Sequence, residues 1–144
     1  MPDSTSDRWP AGLAASAGIV RGRAYAPYSG YRVGAVVQDE TGATHHGVNV
    51  ENASYGATIC AERAAILAMV AAGGTQIVAL AVATSDGGTP CGMCLQVIAE
   101  FADPDLLLIV LADENGAWRE TTFAELFPRP FASAALERIE NPAR

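Results

Sequence analysis

Ile77-Val78-Ala79-Leu80-Ala81-Val82-Ala83 is a continuous apolar run, and Leu106-Leu107-Leu108-Ile109-Val110-Leu111 is a second. Runs of this length, bounded by turn residues, suit central strands covered on both faces. Between them, from Pro90 onward, Leu95, Ile98 and Phe101 form one stripe at helical spacing. Strand, helix and strand in that order predict a right-handed crossover joining two parallel strands. Upstream, residues 31–38 read as a strand, Asp39-Glu40-Thr41-Gly42 as a hairpin turn and residues 44–50 as the partner strand. Residues 59–72 are apolar nearly all round except at Glu62 and Arg63, the pattern of a buried helix, and Gly73-Gly74 ends it. A first helix is expected over about residues 8–23, although Gly12 and Gly18 weaken it. Downstream come an edge strand at 117–122, a short helix at 123–126 stopped by Pro128, and an amphipathic helix at 132–139. The sum is an α/β chain: a mixed sheet of about five strands with helices on both faces, a three-layer α/β/α sandwich.

The chemistry-bearing residues gather at the starts of two of those helices. The chain has three cysteines, Cys60, Cys91 and Cys94, and all lie in Ile59-Cys60-Ala61-Glu62-Arg63 and Pro90-Cys91-Gly92-Met93-Cys94. Three sulfurs are one short of a closed structural zinc site, whereas a catalytic zinc keeps one position for water. Glu62, two residues after Cys60, is placed to take a proton from that water. Thiols at helix N-termini ionise more easily, which favours metal binding near neutral pH. Three thiolates on a divalent ion leave a net charge of about −1, which Arg63 would offset through hydrogen bonds to sulfur. Both helices begin where strands end, the edge at which open α/β sheets bind ligands.

A blander reading makes the C-x-x-C pair half of a structural zinc site, completed by Cys60 and one of His45 and His46. One of these two histidines would point inward from its strand. Their polar surroundings instead predict solvent exposure for the pair, and a structural site has no use for Glu62. Taken alone, Glu62 in a first turn would only favour the helix dipole. Beside an open metal position it acquires a task.

Cys60-Ala61-Glu62 followed by Pro90-Cys91-Gly92-Met93-Cys94 resembles the zinc nucleoside deaminases. Ala24-Tyr25-Ala26-Pro27-Tyr28-Ser29, Val33-Gly34-Ala35 and Gly47-Val48-Asn49-Val50-Glu51-Asn52-Ala53-Ser54-Tyr55-Gly56 extend the likeness to the small homotetrameric cytidine deaminases. It runs from about Ala24 to Phe131. The resemblance implies an enzyme that holds Zn2+ with Cys60, Cys91 and Cys94 and moves protons with Glu62. The implied reaction is hydrolysis of cytidine and 2′-deoxycytidine to the uridines with release of ammonia, a step of pyrimidine salvage. Asn49 and Glu51, alternate residues facing one way, would hold the ribose hydroxyls; the alternative is a solvated loop start. The resemblance also places Ala61 against the substrate. Tyr31 stands where the family carries a phenylalanine stacked on the pyrimidine, and its hydroxyl must then find a partner. An ordinary strand aromatic is the alternative for Tyr31. Phe131 resembles a phenylalanine that reaches over a neighbouring subunit's pocket, with core packing as its alternative. Tyr25, Tyr28 and Tyr55 read as packing or subunit contacts.

Two positions depart from the family pattern. Arginine then glutamine usually follow the last cysteine; here Leu95-Gln96 does, so Gln96 and Arg63 are the polar groups left behind the metal ligands. Metal tuning, subunit packing and substrate range all come into question with that change. Ala57 stands where leucine is common, which loosens the loop above the pocket. Two other functions therefore stay open: a deaminase of another aminopyrimidine nucleoside, such as a modified cytidine or a blasticidin-like antibiotic, and a non-catalytic zinc-stabilised binding module.

Length and charge narrow the field further. At 144 residues, one domain over 1–144 is expected, with the small polar residues 1–7 disordered. No apolar run approaches the length that spans a bilayer, and the N-terminus does not read as a secretory signal. Three cysteines committed to one site suit a reducing compartment, hence a cytoplasmic location. The net charge is −7, and all nine basic residues are scattered arginines. Without a basic stripe to track phosphates, nucleic acid is a poor partner and a neutral nucleoside a better one.

Overall fold

The structure is a computed structural model and describes residues 8–132. The disorder expected at 1–7 and all but the first residue of the helix expected at 132–139 fall outside the described residues. Among the described residues five strands form one sheet in the order β2-β1-β3-β4-β5. They are β1 (Gly34–Asp39), β2 (Thr44–Val48), β3 (Ile77–Ala83), β4 (Leu108–Ala112) and β5 (Trp118–Thr121). Only β3 and β4 are parallel, with Ala79 opposite Leu108 and Ala83 opposite Ala112. The neighbouring pairs β1–β2, β1–β3 and β4–β5 are antiparallel. The helices are α1 (Arg8–Arg21), α2 (Ala61–Ala71), α3 (Gly92–Phe101) and α4 (Phe123–Leu126).

The apolar run of β3 has two differently sized faces. Ala79, Ala81 and Ala83 pack with Val36, Val110 and Ala112 beneath Leu13, Ala14 and Ala17 of α1. Leu80 and Val82 face the other way, with Val37, Ile109 and Leu111, under Ile66 and Met69 of α2 and Ile98 of α3. Small residues on one face let α1 lie close to the sheet; a Cβ on Gly34 would collide with the backbone of Ala17 and Arg21. Gly47 does the same for α2, whose backbone at Ala61 and Ala65 occupies the space of its missing Cβ. Each large side chain on the α2–α3 face contributes about 1.5–3 kcal/mol by leaving water. This thicker core holds the two cysteine-bearing helices side by side. The arrangement is the expected α/β/α sandwich.

Several boundaries differ from the sequence pattern by a residue or more, and three of them have a clear local reason. Residues 31–33 are not strand, because the Asn49 side chain takes the places of a ladder partner. Its Oδ1 accepts from Val33 N at 2.8 Å and its Nδ2 donates to the Tyr31 carbonyl at 2.8 Å. Leu106 and Leu107 are held in a turn by the Asp103 carbonyl, so β4 begins at Leu108. Ile59 exchanges two backbone hydrogen bonds with Val50, at 2.9 and 3.0 Å, so its backbone stays extended and α2 begins only at Ala61.

Candidate active site

That last boundary makes Cys60 the N-cap of α2, and Cys91 is likewise the N-cap of α3. Neither thiol caps its helix, so both sulfurs remain free for another partner. Cys94 sits one turn into α3 and is buried, whereas Cys60 is half-buried and Cys91 exposed. The sulfurs of Cys60 and Cys91 lie 3.9 Å apart, and all three lie within 4.8 Å of one another. A tetrahedral zinc with bonds of about 2.3 Å holds its sulfurs about 3.8 Å apart, so the triad fits that ion. No histidine belongs to this cluster among the described residues.

Charge around the sulfurs is arranged for anions. Arg63 Nη2 lies 3.5 Å from Cys60 Sγ and donates to the Thr58 carbonyl at 3.5 Å. Its Nε is buried without a partner among the described residues, a spare donor suited to a thiolate-rich centre. The Cys60 pKa is lowered to about 5, first by the neighbouring Cys94 thiol and then by Arg63. Cys94 is pushed upward by the neighbouring Cys60, and burial beside Glu62 adds to the rise.

Glu62 follows in the first turn of α2 and is only 5% exposed. Its one side-chain partner among the described residues is Cys94 Sγ, 3.7 Å from Oε2. Burial raises its pKa, and the negative Cys60 raises it further. Glu62, Cys60, Ala61 and Cys91 line a cavity of about 300 Å³ whose other walls include Tyr31, Val33, Asn49, Glu51, Thr58, Thr84 and Thr89. A carboxylate and two cysteine sulfurs thus share one hollow large enough for a small ring.

Asn49 and Glu51 line the same cavity, as their alternation requires. Glu51 accepts from Tyr28 N at 2.9 Å, Ser29 N at 3.1 Å and Ser29 Oγ at 2.6 Å. The Tyr31 hydroxyl has found its partner, donating to Asp86 Oδ1 at 2.7 Å. Phe131 does not line this cavity; it is 62% exposed. Gln96 donates to the Phe131 carbonyl at 2.8 Å, so its amide braces the C-terminal segment. Leu95, in place of the usual arginine, is buried in the α2–α3 core. Tyr25, Tyr28 and Tyr55 are exposed, the last two in an edge-to-face pair 6.0 Å apart. Ala57 lies in the exposed single turn Tyr55–Ala57, outside the cavity lining.

One expectation is overturned. His45 is largely covered: its Nε2 meets the buried Asp39 Oδ2 at 2.7 Å, and of the pair only His46 is exposed. The hairpin turn supplies the reason, because it brings a carboxylate to the inward face of β2. Nothing in sequence spacing marks Thr58, Thr84 or Thr89 as cavity lining, or Asp86 as the partner of Tyr31. Thr84 was discoverable in principle, since it follows the C-terminal end of β3.

A family model for the cytidine and deoxycytidylate deaminase zinc-binding region matches residues 10–110. The chain belongs to this family. A cytidine deaminase of Sporosarcina psychrophila is 41% identical over 126 residues, 86% of this chain and 92% of that one. The crystal structure of cytidine deaminase from Burkholderia pseudomallei superposes with a TM-score of 0.77 at 42% identity, covering 83% of this chain and 97% of that one. The Mycobacterium leprae cytidine deaminase structure gives 0.70 at 38% identity, covering 82% and 96%. With the family's zinc-binding region spanning the sulfur triad, the cofactor is Zn2+. Among the described residues no helix is long and apolar enough to cross a membrane.

Proposed function

We propose that this protein hydrolyses cytidine and 2′-deoxycytidine to uridine and 2′-deoxyuridine, releasing ammonia. The observation that carries the reading is Glu62: a buried carboxyl with one weak partner, facing the cavity it shares with Cys60 and Cys91. Cys60, Cys91 and Cys94 would hold zinc, which would supply an acidified water there. Glu62 would take a proton from that water and deliver it to ring N3 as the water oxygen bonds to C4. It would then move the proton of the new C4 hydroxyl to the amino nitrogen, so that the C4–N bond breaks, ammonia leaves and the C4 carbonyl of the uridine remains. A pKa raised by burial toward working pH suits both transfers. Ala61, at the first position of α2, offers a helix-terminal N–H to the ring carbonyl. Tyr31 provides an aromatic wall for the ring. Asn49 and Glu51 receive the ribose, using the acceptor and donor capacity their loop contacts leave free.

The same reading makes the protein a homotetramer in which Phe131 reaches over a neighbour's cavity. An exposed Phe131 held by Gln96 and the exposed Tyr28–Tyr55 pair support that assembly. A single domain over the whole chain, a place in pyrimidine salvage and a cytoplasmic location complete the proposal.

The deciding experiment loads the protein with one equivalent of zinc and follows ammonia release from cytidine. Turnover that a chelator abolishes and zinc restores is the expected result. Stoichiometric zinc with no ammonia from any aminopyrimidine nucleoside would leave a binding module. A far higher kcat/KM for a modified cytidine or a blasticidin-like antibiotic would move the substrate assignment.

A further inference from the structure

We propose that Asp86 is a positioning residue of the nucleoside pocket: its carboxylate holds the Tyr31 hydroxyl and so fixes the aromatic wall against which a pyrimidine would lie. The inference rests on the nucleoside reading above and assigns a task to a residue outside the cavity lining. Tyr31 precedes β1 and Asp86 follows β3, so their hydrogen bond joins two loops 55 residues apart in sequence. The acceptor is set before Tyr31 reaches it. Asp86 Oδ1 also accepts from Thr84 Oγ1 at 3.1 Å and Gly88 N at 3.2 Å. A backbone bridge between Asp86 and Asp113 ties that loop to the chain leaving β4.

The other end of Tyr31 is equally constrained. Its N–H donates to Ser29 Oγ at 3.0 Å and its carbonyl accepts from Asn49 Nδ2 at 2.8 Å. A ring 39% exposed at a cavity wall would otherwise be free to change rotamer. Tethering the tip as well as the backbone removes that freedom before a ligand arrives, and directs the hydroxyl hydrogen to the loop. Gly88 makes room for the tether, since a Cβ there would lie 2.8 Å from Tyr31 Oη and 3.1 Å from Asp86 Oδ1. Burial raises the Tyr31 pKa, and the Tyr31 hydrogen bond lowers that of Asp86. A neutral phenol donating to a carboxylate is the stronger, charge-assisted kind of hydrogen bond.

The test uses zinc-loaded wild type, Tyr31→Phe, Asp86→Ala, Asp86→Asn and the Tyr31→Phe/Asp86→Ala double variant. Steady-state kinetics with cytidine are paired with equilibrium binding of the product uridine. Freeing one aromatic side chain should raise KM and the uridine Kd by about two- to tenfold, with kcat within about twofold. Asp86→Asn, which keeps an acceptor oxygen, should recover most of the affinity lost in Asp86→Ala. The double variant should be no weaker than the weaker single, because both changes cut one tether. Multiplicative losses, a fall in kcat at constant KM, or no rescue by asparagine would each overturn the proposal. If Asp86→Ala fails to fold, Tyr31→Phe decides: an unchanged uridine Kd refutes the tether. A wild type that neither binds uridine nor releases ammonia would instead refute the nucleoside reading.

Discussion

Asp39 and Glu62 are both buried carboxyl groups, 4% and 5% exposed, yet the protein treats them in opposite ways. Asp39 closes the β1–β2 hairpin. Its Oδ1 accepts from Thr41 Oγ1 at 2.6 Å, Thr41 N at 2.8 Å and Ala43 N at 3.2 Å, while Oδ2 meets His45 at 2.7 Å. Those bonds, the Thr41 hydroxyl first and His45 next, lower its pKa to about 2. Among the described residues Glu62 has only a thiol at 3.7 Å, and burial pushes its pKa the other way. Burial alone therefore does not distinguish the two. A carboxylate whose lone pairs are filled by its own chain has no capacity left for a ligand, whereas an unfilled one beside a cavity can exchange protons.

Substitution at Glu62 is the strongest way to break this contrast. Glu62→Gln should lower kcat by about 10²- to 10⁴-fold, the usual worth of a proton carrier, with zinc content unchanged by metal analysis. Asp39→Asn should leave kcat within about twofold. A Glu62→Gln protein with near wild-type turnover, or a crippled Asp39→Asn, would erase the distinction.

Glu51 sharpens the comparison as an intermediate case: three donors from residues 28–29 hold it, yet it lines the cavity. Losing a hydrogen bond to a charged acceptor should raise KM for cytidine by about 10- to 100-fold in Glu51→Ala. Activity on free cytosine should change little, because the base has no ribose to lose. Equal losses on both substrates would return Glu51 to a loop-bracing role.

The smallest effect belongs to Asp39 and appears in stability. Its folded pKa of about 2 lies below the ordinary 3.8, so its contribution is complete above that value and disappears as pH falls toward 2. The wild-type Tm should decline across this window more steeply than that of Asp39→Asn, which should start a few degrees lower near neutral pH. Parallel declines would show that the hairpin network carries no such linkage.

Much of this was legible from local pattern. The run Ile77–Ala83 is a strand end to end, and Phe123–Leu126 is a helix between the limits its composition sets. Apolar periodicity and turn residues act over a few positions, so they survive without tertiary information. Residues 31–33 escaped that logic because their backbone is satisfied by a side chain sixteen or more positions away. His45 escaped it because its partner lies across a hairpin, where neighbouring sequence looks polar and open.

The sequence by itself determined that all three cysteines fall at the starts of two helices, which makes them the proposed metal donors. It also set the two-faced β3 run that forces a layered fold. Tertiary structure alone decided that Glu62 is open while Asp39 is closed, and that Tyr31 is tied to Asp86. Hydrogen-bond capacity is filled by whatever the fold brings within about 3 Å, and those partners come from loops that only folding brings together.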